Sequence, residues 1–206
     1  IAGLVKGASK GEGLGNKFLS HIREVDAIVH MIRCFDSDDI QNVNSTVDPI
    51  RDLEIIETEM MLADLESIQK RLEKNNKKNV DEEQLKILEI ASDCINNDKD
   101  IQILHNQFEK KLLSQSGLLS LKPKIFVCNV DEASVQSGNQ YTEVFIKRFG
   151  EKNTLIVSAD IENQINQLEN EEKENYMDMI GLKRTGLNML IQKGYNILEL
   201  DTYFTS

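Results

Sequence analysis

The sequence predicts an α/β fold built on a parallel sheet, with a block of helices inserted into it. Three observations carry that expectation. Apolar runs rich in β-branched residues recur at 26–35, 122–130 and 153–157, and helix-patterned segments separate them. That alternation suits parallel strands, whose crossovers need a helix's worth of chain. Between the first two runs, residues 52–113 read as helix with narrow apolar seams and charged outer faces, the pattern of an antiparallel arm. The 206 residues suffice for one domain with a real core and an inserted subdomain.

The elements follow in order. Residues 1–15, IAGLVKGASKGEGLG, hold five glycines and two lysines with little apolar pattern. A glycine-rich loop opening onto a helix suits a phosphate, because free N–H groups and the helix dipole point at it. On composition alone, a plain surface loop fits equally well. A short helix is expected from Asn16 to Glu24, carrying Phe18, Leu19 and Ile22 inward. DAIVHMIRCF, 26–35, reads as a strand buried on both faces. His21 and His30 read as structural histidines, since neither has a partner at metal-ligand spacing. A polar loop over 40–48 ends at Pro49, which suits a helix's first turn.

In the arm, Met61, Leu65, Ile68 and Leu72 form one seam on a helix from Asp52 to Asn75. Leu85, Leu88, Ala91 and Ile95 form another on a helix from Asp81 to Ile95. Ile101, Leu104, Phe108 and Leu112 form a third within 101–113. After the second strand, a helix over 141–149 ends at Gly150 as a C-cap. After the third, helices are expected over 161–180 and 187–200.

Charge and composition narrow the function. A net charge of −11 disfavours bulk electrostatic binding to nucleic acid, and direct sequence-specific DNA binding is not expected. Few aromatics and no Trp argue against a stacking platform for single strands. No stretch is apolar and long enough for a membrane span. Cys34, Cys94 and Cys128 lack metal spacing and read as reduced, buried thiols of a cytoplasmic protein.

Ligands of parallel sheets bind beyond the carboxyl ends of the strands. That rule singles out Phe35 and Asp36, 129–132, and 158–160. Asn129-Val130-Asp131-Glu132 resembles, with two changes, the Asn-Lys-x-Asp motif by which guanine-specific P-loop GTPases read their base. Glu132 is a longer carboxylate than Asp, and the adenine N1 acceptor would repel a carboxylate facing it, so a displaced Glu132 relaxes the guanine requirement. The Asn129 amide can both donate and accept, so it can pair with adenine N7 and N6. Taken alone, the same four residues are an ordinary polar turn. Ser158-Ala159-Asp160 offers a small residue past which backbone N–H groups can approach a base edge.

The opening run Ala2-Gly3-Leu4-Val5-Lys6-Gly7-Ala8-Ser9, followed by Lys10 to Asn16, resembles the switch II segment of the Obg-like ATPases, the YchF family of P-loop NTPases. There the pattern is Asp-x-Ala-Gly-Leu-Val-x-Gly-Ala before a glycine-rich stretch. The resemblance runs through nearly the whole chain. The sequence starts one residue after the expected Asp and has neither an initiating Met nor G-x-x-x-x-G-K-[ST]. It therefore looks like a piece of a longer protein, and alone is expected neither to hold nucleotide tightly nor to hydrolyse it.

The resemblance implies Mg²⁺-dependent hydrolysis of ATP, with GTP as the alternative and the magnesium ligands outside this sequence. It implies adenine contacts from Phe35, Asn129, Val130, Ser158 and Ala159, with Glu132 and Asp160 in the same base site. It implies switch II contacts from Ile1, Ala2 and Gly3, the Gly3 N–H meeting the γ-phosphate. Leu4 stands where Ras-like proteins carry the glutamine that orients the attacking water, and leucine cannot do that. Asn42 aligns where relatives carry a His. The implied organisation is an NTPase domain from switch II over 1–51, a helical, coiled-coil arm over 52–118, the base-recognition half over 119–200, and the entry to a TGS domain over 201–206. The ribosome or a translation factor is the implied partner. A nucleotide-switched interaction module, working through the arm, is the reading from a different class.

Overall fold

A computed structural model describes residues 14–37, 46–75 and 81–204. The chain divides into two compact units, one of Ile1–Asp26 with Glu54–Lys122 and one of Ala27–Leu53 with Pro123–Ser206.

The second unit holds the sheet. Strands β1 (Ile28–Arg33), β2 (Lys124–Asn129) and β3 (Thr154–Val157) lie in that order. Both pairings are parallel, with Ile32 opposite Cys128 and Cys128 opposite Ile156. Side chains alternate across β2, so its two faces meet different helices. Cys128, Val130 and Phe126 pack with Ile32, Cys34 and Phe145 of helix α5 (Gln140–Phe149). Ile125 and Val127 pack with Val157 and with Leu190 and Ile197 of helix α8 (Gly186–Leu198). Helices on both faces make this an α/β layer architecture, as expected. Phe126, Phe145 and Phe149 form an aromatic cluster, with Phe145 and Phe149 centroids 4.6 Å apart. His30 is buried and stacks on Phe126 at 5.7 Å.

Two expectations for this unit need correction. β1 was expected to be buried on both faces, yet Val29 and Met31 are 45% and 63% exposed. An apolar run reports composition, whereas burial depends on what lies over each face. The expected helix over 161–180 is two helices, α6 (Ala159–Gln167) and α7 (Asn170–Met179). Leu168 is extended at the break, and the Glu169 N–H donates to the Glu172 carboxylate at 3.4 Å, a capping contact that starts a new helix. Gly150, with φ +87°, caps α5 as expected.

The first unit holds helix α1 (Leu14–Glu24), most of α2 (Pro49–Asn75, which begins in the other unit), α3 (Glu82–Asn96), a 3₁₀ turn (Ile101–Asn106) and α4 (Lys110–Ser116). The third helical stretch is thus not continuous over 101–113. The two other seams are each rotated from the expected set. On α2 within this unit the buried side chains are Glu59, Met60, Ala63, Asp64 and Ile68, and on α3 they are Ile87, Leu88, Ala91 and Cys94, while the expected Leu72 and Ile95 are partly buried against the same core. Asp64 explains the first rotation. It is fully buried and accepts from the Leu119 N–H (2.9 Å), the Ser120 N–H (2.8 Å) and the Ser120 hydroxyl (2.6 Å). A carboxylate serving three donors lets the seam contain a charged residue that hydrophobic periodicity passes over. Burial pushes the Asp64 carboxyl above its ordinary value, against these hydrogen bonds. Arg23 donates to the carbonyls of Gly117 and Ala63, and Arg71 to that of Ser116. Together these bonds hold the 116–120 loop, where Gly117 takes φ +67° after α4.

All three cysteines are free and buried. The neighbouring Cys128 thiol and burial push the Cys34 thiol far above its ordinary range. Among the described residues no helix is long and apolar enough to cross a membrane. No group of three or more metal-ligating side chains occurs among them either.

Candidate functional site

The carboxyl ends of β1, β2 and β3 come together in the sheet unit. Phe35 lies just past β1, Asn129 ends β2, and Ser158 and Ala159 follow β3. Parallel pairing alone brings these separated residues to one edge.

Each side chain there has a defined task. Asn129 Oδ1 accepts from the Ala159 N–H at 2.9 Å. That bond fixes which end of the amide is oxygen, and it leaves Nδ2 as a directed donor. Ser158 is buried and caps α6 by accepting from the Ile161 N–H. Asp160 is exposed in the first turn of α6. The Val130 side chain is 2% exposed and lies in the core, and its N–H donates to the Val157 carbonyl at 2.9 Å. What Val130 can offer a ligand is therefore backbone. A lysine side chain here would put an ammonium among apolar groups. Asp131 caps the 3₁₀ turn Glu132–Ser134 by accepting from the Ser134 N–H at 2.8 Å. Glu132 is exposed, and one of its oxygens accepts from the Gln164 amide. Phe35 is half-buried, and the Arg33 guanidinium lies 5.0 Å over its ring and donates to its carbonyl.

Several residues that stiffen this edge escaped the sequence reading. Asn139 is the N-cap of α5, with Oδ1 accepting from Tyr141 and Thr142 N–H groups. Its Nδ2 donates to the Cys34 carbonyl at 2.7 Å. The Tyr141 hydroxyl donates to Asp36 at 2.7 Å, and that carboxylate holds the phenol above its ordinary value. The Cys34 N–H in turn donates to the Asn129 carbonyl at 2.8 Å. The loop after β1 is thus tied both to β2 and to the start of α5. Asn139 before Gln-Tyr-Thr-Glu is a readable N-cap signal, but its second bond to Cys34 is a long-range contact with no local signature. Ile1, Ala2, Gly3, Leu4 and Asn42 lie outside the described residues.

No family model matches the chain. It is 42% identical over its whole length to the Bacillus subtilis protein named Ribosome-binding ATPase YchF, and covers 59% of that protein. It is 41% identical to the protein of the same name from Haemophilus ducreyi and 37% identical to that from Escherichia coli O157:H7, with the same coverage. Its fold matches the solved structure of the Schizosaccharomyces pombe YchF GTPase with a TM-score of 0.70 at 31% identity, over the whole of this chain and 58% of that one. The chain therefore spans about three fifths of the length of the relatives it matches.

Proposed function

The chain belongs to the YchF family of Obg-like P-loop NTPases, and on that premise we propose that it supplies the base-recognition half of an ATP-binding, ATP-hydrolysing protein that acts at the ribosome in the cytoplasm. Residues 1–51 and 119–200 are its share of the nucleotide domain, 52–118 its helical arm, and 201–206 lead toward a further domain. Phe35, Asn129, Glu132, Ser158, Ala159 and Asp160 form the purine end, with Val130 contributing backbone. Ile1, Ala2, Gly3 and Leu4 form the phosphate end.

One observation supports adenine above guanine, the hydrogen bond from the Ala159 N–H to Asn129 Oδ1. With the amide so oriented, Nδ2 offers a donor and the second lone pair of Oδ1 an acceptor. Adenine presents the complement, an N7 acceptor beside an N6 donor. Guanine presents two acceptors, N7 and O6, one of which would face Oδ1. The bond also occupies the Ala159 N–H, which an O6 would otherwise seek. Bound magnesium would neutralise charge on the phosphates, while this chain's own residues orient the base.

The names carried by the relatives divide between ATPase and GTPase, so base preference is the property to measure. The assay is equilibrium binding of ATP and GTP, with magnesium, to the full-length protein. The expected result is an ATP preference. Asn129→Asp keeps the acceptor for Ala159 but removes the N7 donor, so ATP affinity should fall by about tenfold or more. A GTP preference, or indifference to Asn129→Asp, would sink the adenine reading.

A further inference from the structure

Glu132 does not stand free at the purine end. Its Oε1 accepts from Gln164 Nε2 of α6 at 2.5 Å. Gln164 Oε1 in turn accepts from the Tyr176 hydroxyl of α7. The Glu132 carboxylate can only accept, so it takes the nitrogen end of the Gln164 amide, and the oxygen end is left to accept the Tyr176 proton. The same loop is also anchored at the C-terminal cap of α7, by the Gln136 amide donating to the Ile180 carbonyl. Gly181 makes room for that anchor: a Cβ there would lie 2.6 Å from Gln136 Nε2.

A carboxylate at this end of a parallel sheet has a definite consequence for base choice. Guanine offers N1–H and an exocyclic amine on one edge, both donors to a carboxylate. Adenine offers a bare N1 acceptor there, which a carboxylate repels. Whether Glu132 favours one base therefore depends on where its side chain is held, and it has enough rotamers to reach more than one place. We propose that Gln164 and Tyr176 are specificity-determining positioning residues: as a relay they tether the Glu132 carboxylate toward α6 and α7 and so withhold it from the guanine edge. This rests on the adenine reading given above, and adds to it the residues that keep GTP out.

The test uses the full-length protein with magnesium and compares ATP and GTP affinities for Gln164→Leu and Tyr176→Phe, each alone and in a Glu132→Ala background. Tyr176→Phe removes a single oxygen from an α7 side chain and guards against a folding defect in the other variant. Each single variant should raise the ratio of GTP to ATP affinity by about tenfold, the worth of one charge-assisted hydrogen bond gained by the released carboxylate. In the Glu132→Ala background neither should change the ratio, an outcome that a general loosening of α6 and α7 would not give. An unchanged ratio in both single variants overturns the relay, as does the same shift without Glu132. If the parent protein prefers ATP and the ratio does not move, the relay fails and the adenine reading stands. If the parent prefers GTP but the ratio still moves only through Glu132, the adenine reading fails and the relay stands. A parent protein that binds neither nucleotide overturns both.

Discussion

Asn139 joins two jobs in one side chain, and substitutions can separate them. Its oxygen caps α5 through the Tyr141 N–H (3.0 Å) and the Thr142 N–H (3.2 Å), while its nitrogen donates to the Cys34 carbonyl (2.7 Å). Serine keeps a capping oxygen but is too short to reach Cys34, and alanine loses both functions. An N-cap is worth about 1 kcal/mol, and a partly buried carbonyl that loses its partner costs about another 1 kcal/mol. Asn139→Ser should therefore destabilise by about 1 kcal/mol and Asn139→Ala by about 2 kcal/mol. Denaturant midpoints at unchanged slope would measure the totals. Hydrogen exchange at the Tyr141 and Thr142 amides would report the cap alone, so protection there should drop in the alanine variant and persist in the serine variant. Equal destabilisation by serine and alanine would refute the division, because the cap would then contribute nothing. A loss below about 0.5 kcal/mol for alanine would refute both terms.

Two further outcomes follow from the same kind of accounting. Gly138→Ala places a Cβ 2.4 Å from Thr142 Oγ1 at a φ of +73°, so left-handed strain and displacement of the Thr142 hydroxyl should together cost more than about 2 kcal/mol, read as a fall in the unfolding midpoint. Asp64 is held above its ordinary carboxylate value by burial, so its linkage term favours folding fully below the unfolded value of about 3.9 and is lost as pH rises through the higher folded value. Asp64→Asn should remove that decline, flattening the fall of stability with rising pH relative to the parent. A variant whose pH profile runs parallel to the parent's would contradict the raised value.

Much of the architecture was legible because it depends on local pattern. The three strands, the Gly150 cap and the helical stretch between the first two strands each have a short-range signature in composition or period. The faces of the arm were less legible. Met61 and Leu65 read as core and Asp64 as surface, yet the chain turns Asp64 inward because Leu119 and Ser120 offer it two backbone N–H groups and a hydroxyl. That offer comes from residues more than fifty positions away, so periodicity within α2 cannot contain it. The site shows the same split. Asn129 and Ala159 are readable as strand-end residues, but their mutual hydrogen bond, which orients the amide, exists only once β2 and β3 pair.

The relay behind Glu132 shows why one misplaced boundary matters. On a single helix over 161–180, Gln164 and Tyr176 would be twelve residues apart, and their Cα atoms would stand about 18 Å from one another along the axis. No hydrogen bond between them could form. The break at Leu168 folds α7 back against α6, and only then does the Tyr176 hydroxyl reach the Gln164 amide. The break is set by a Glu169–Glu172 contact, and glutamate is a poor N-cap by propensity, so the sequence carries little warning of it. A single helix boundary thus decides whether the carboxylate beside the purine end has a second support. A substitution that restores helix across 168–169 should disconnect Tyr176 from Glu132 without touching either residue, and should move base preference in the same direction as Tyr176→Phe.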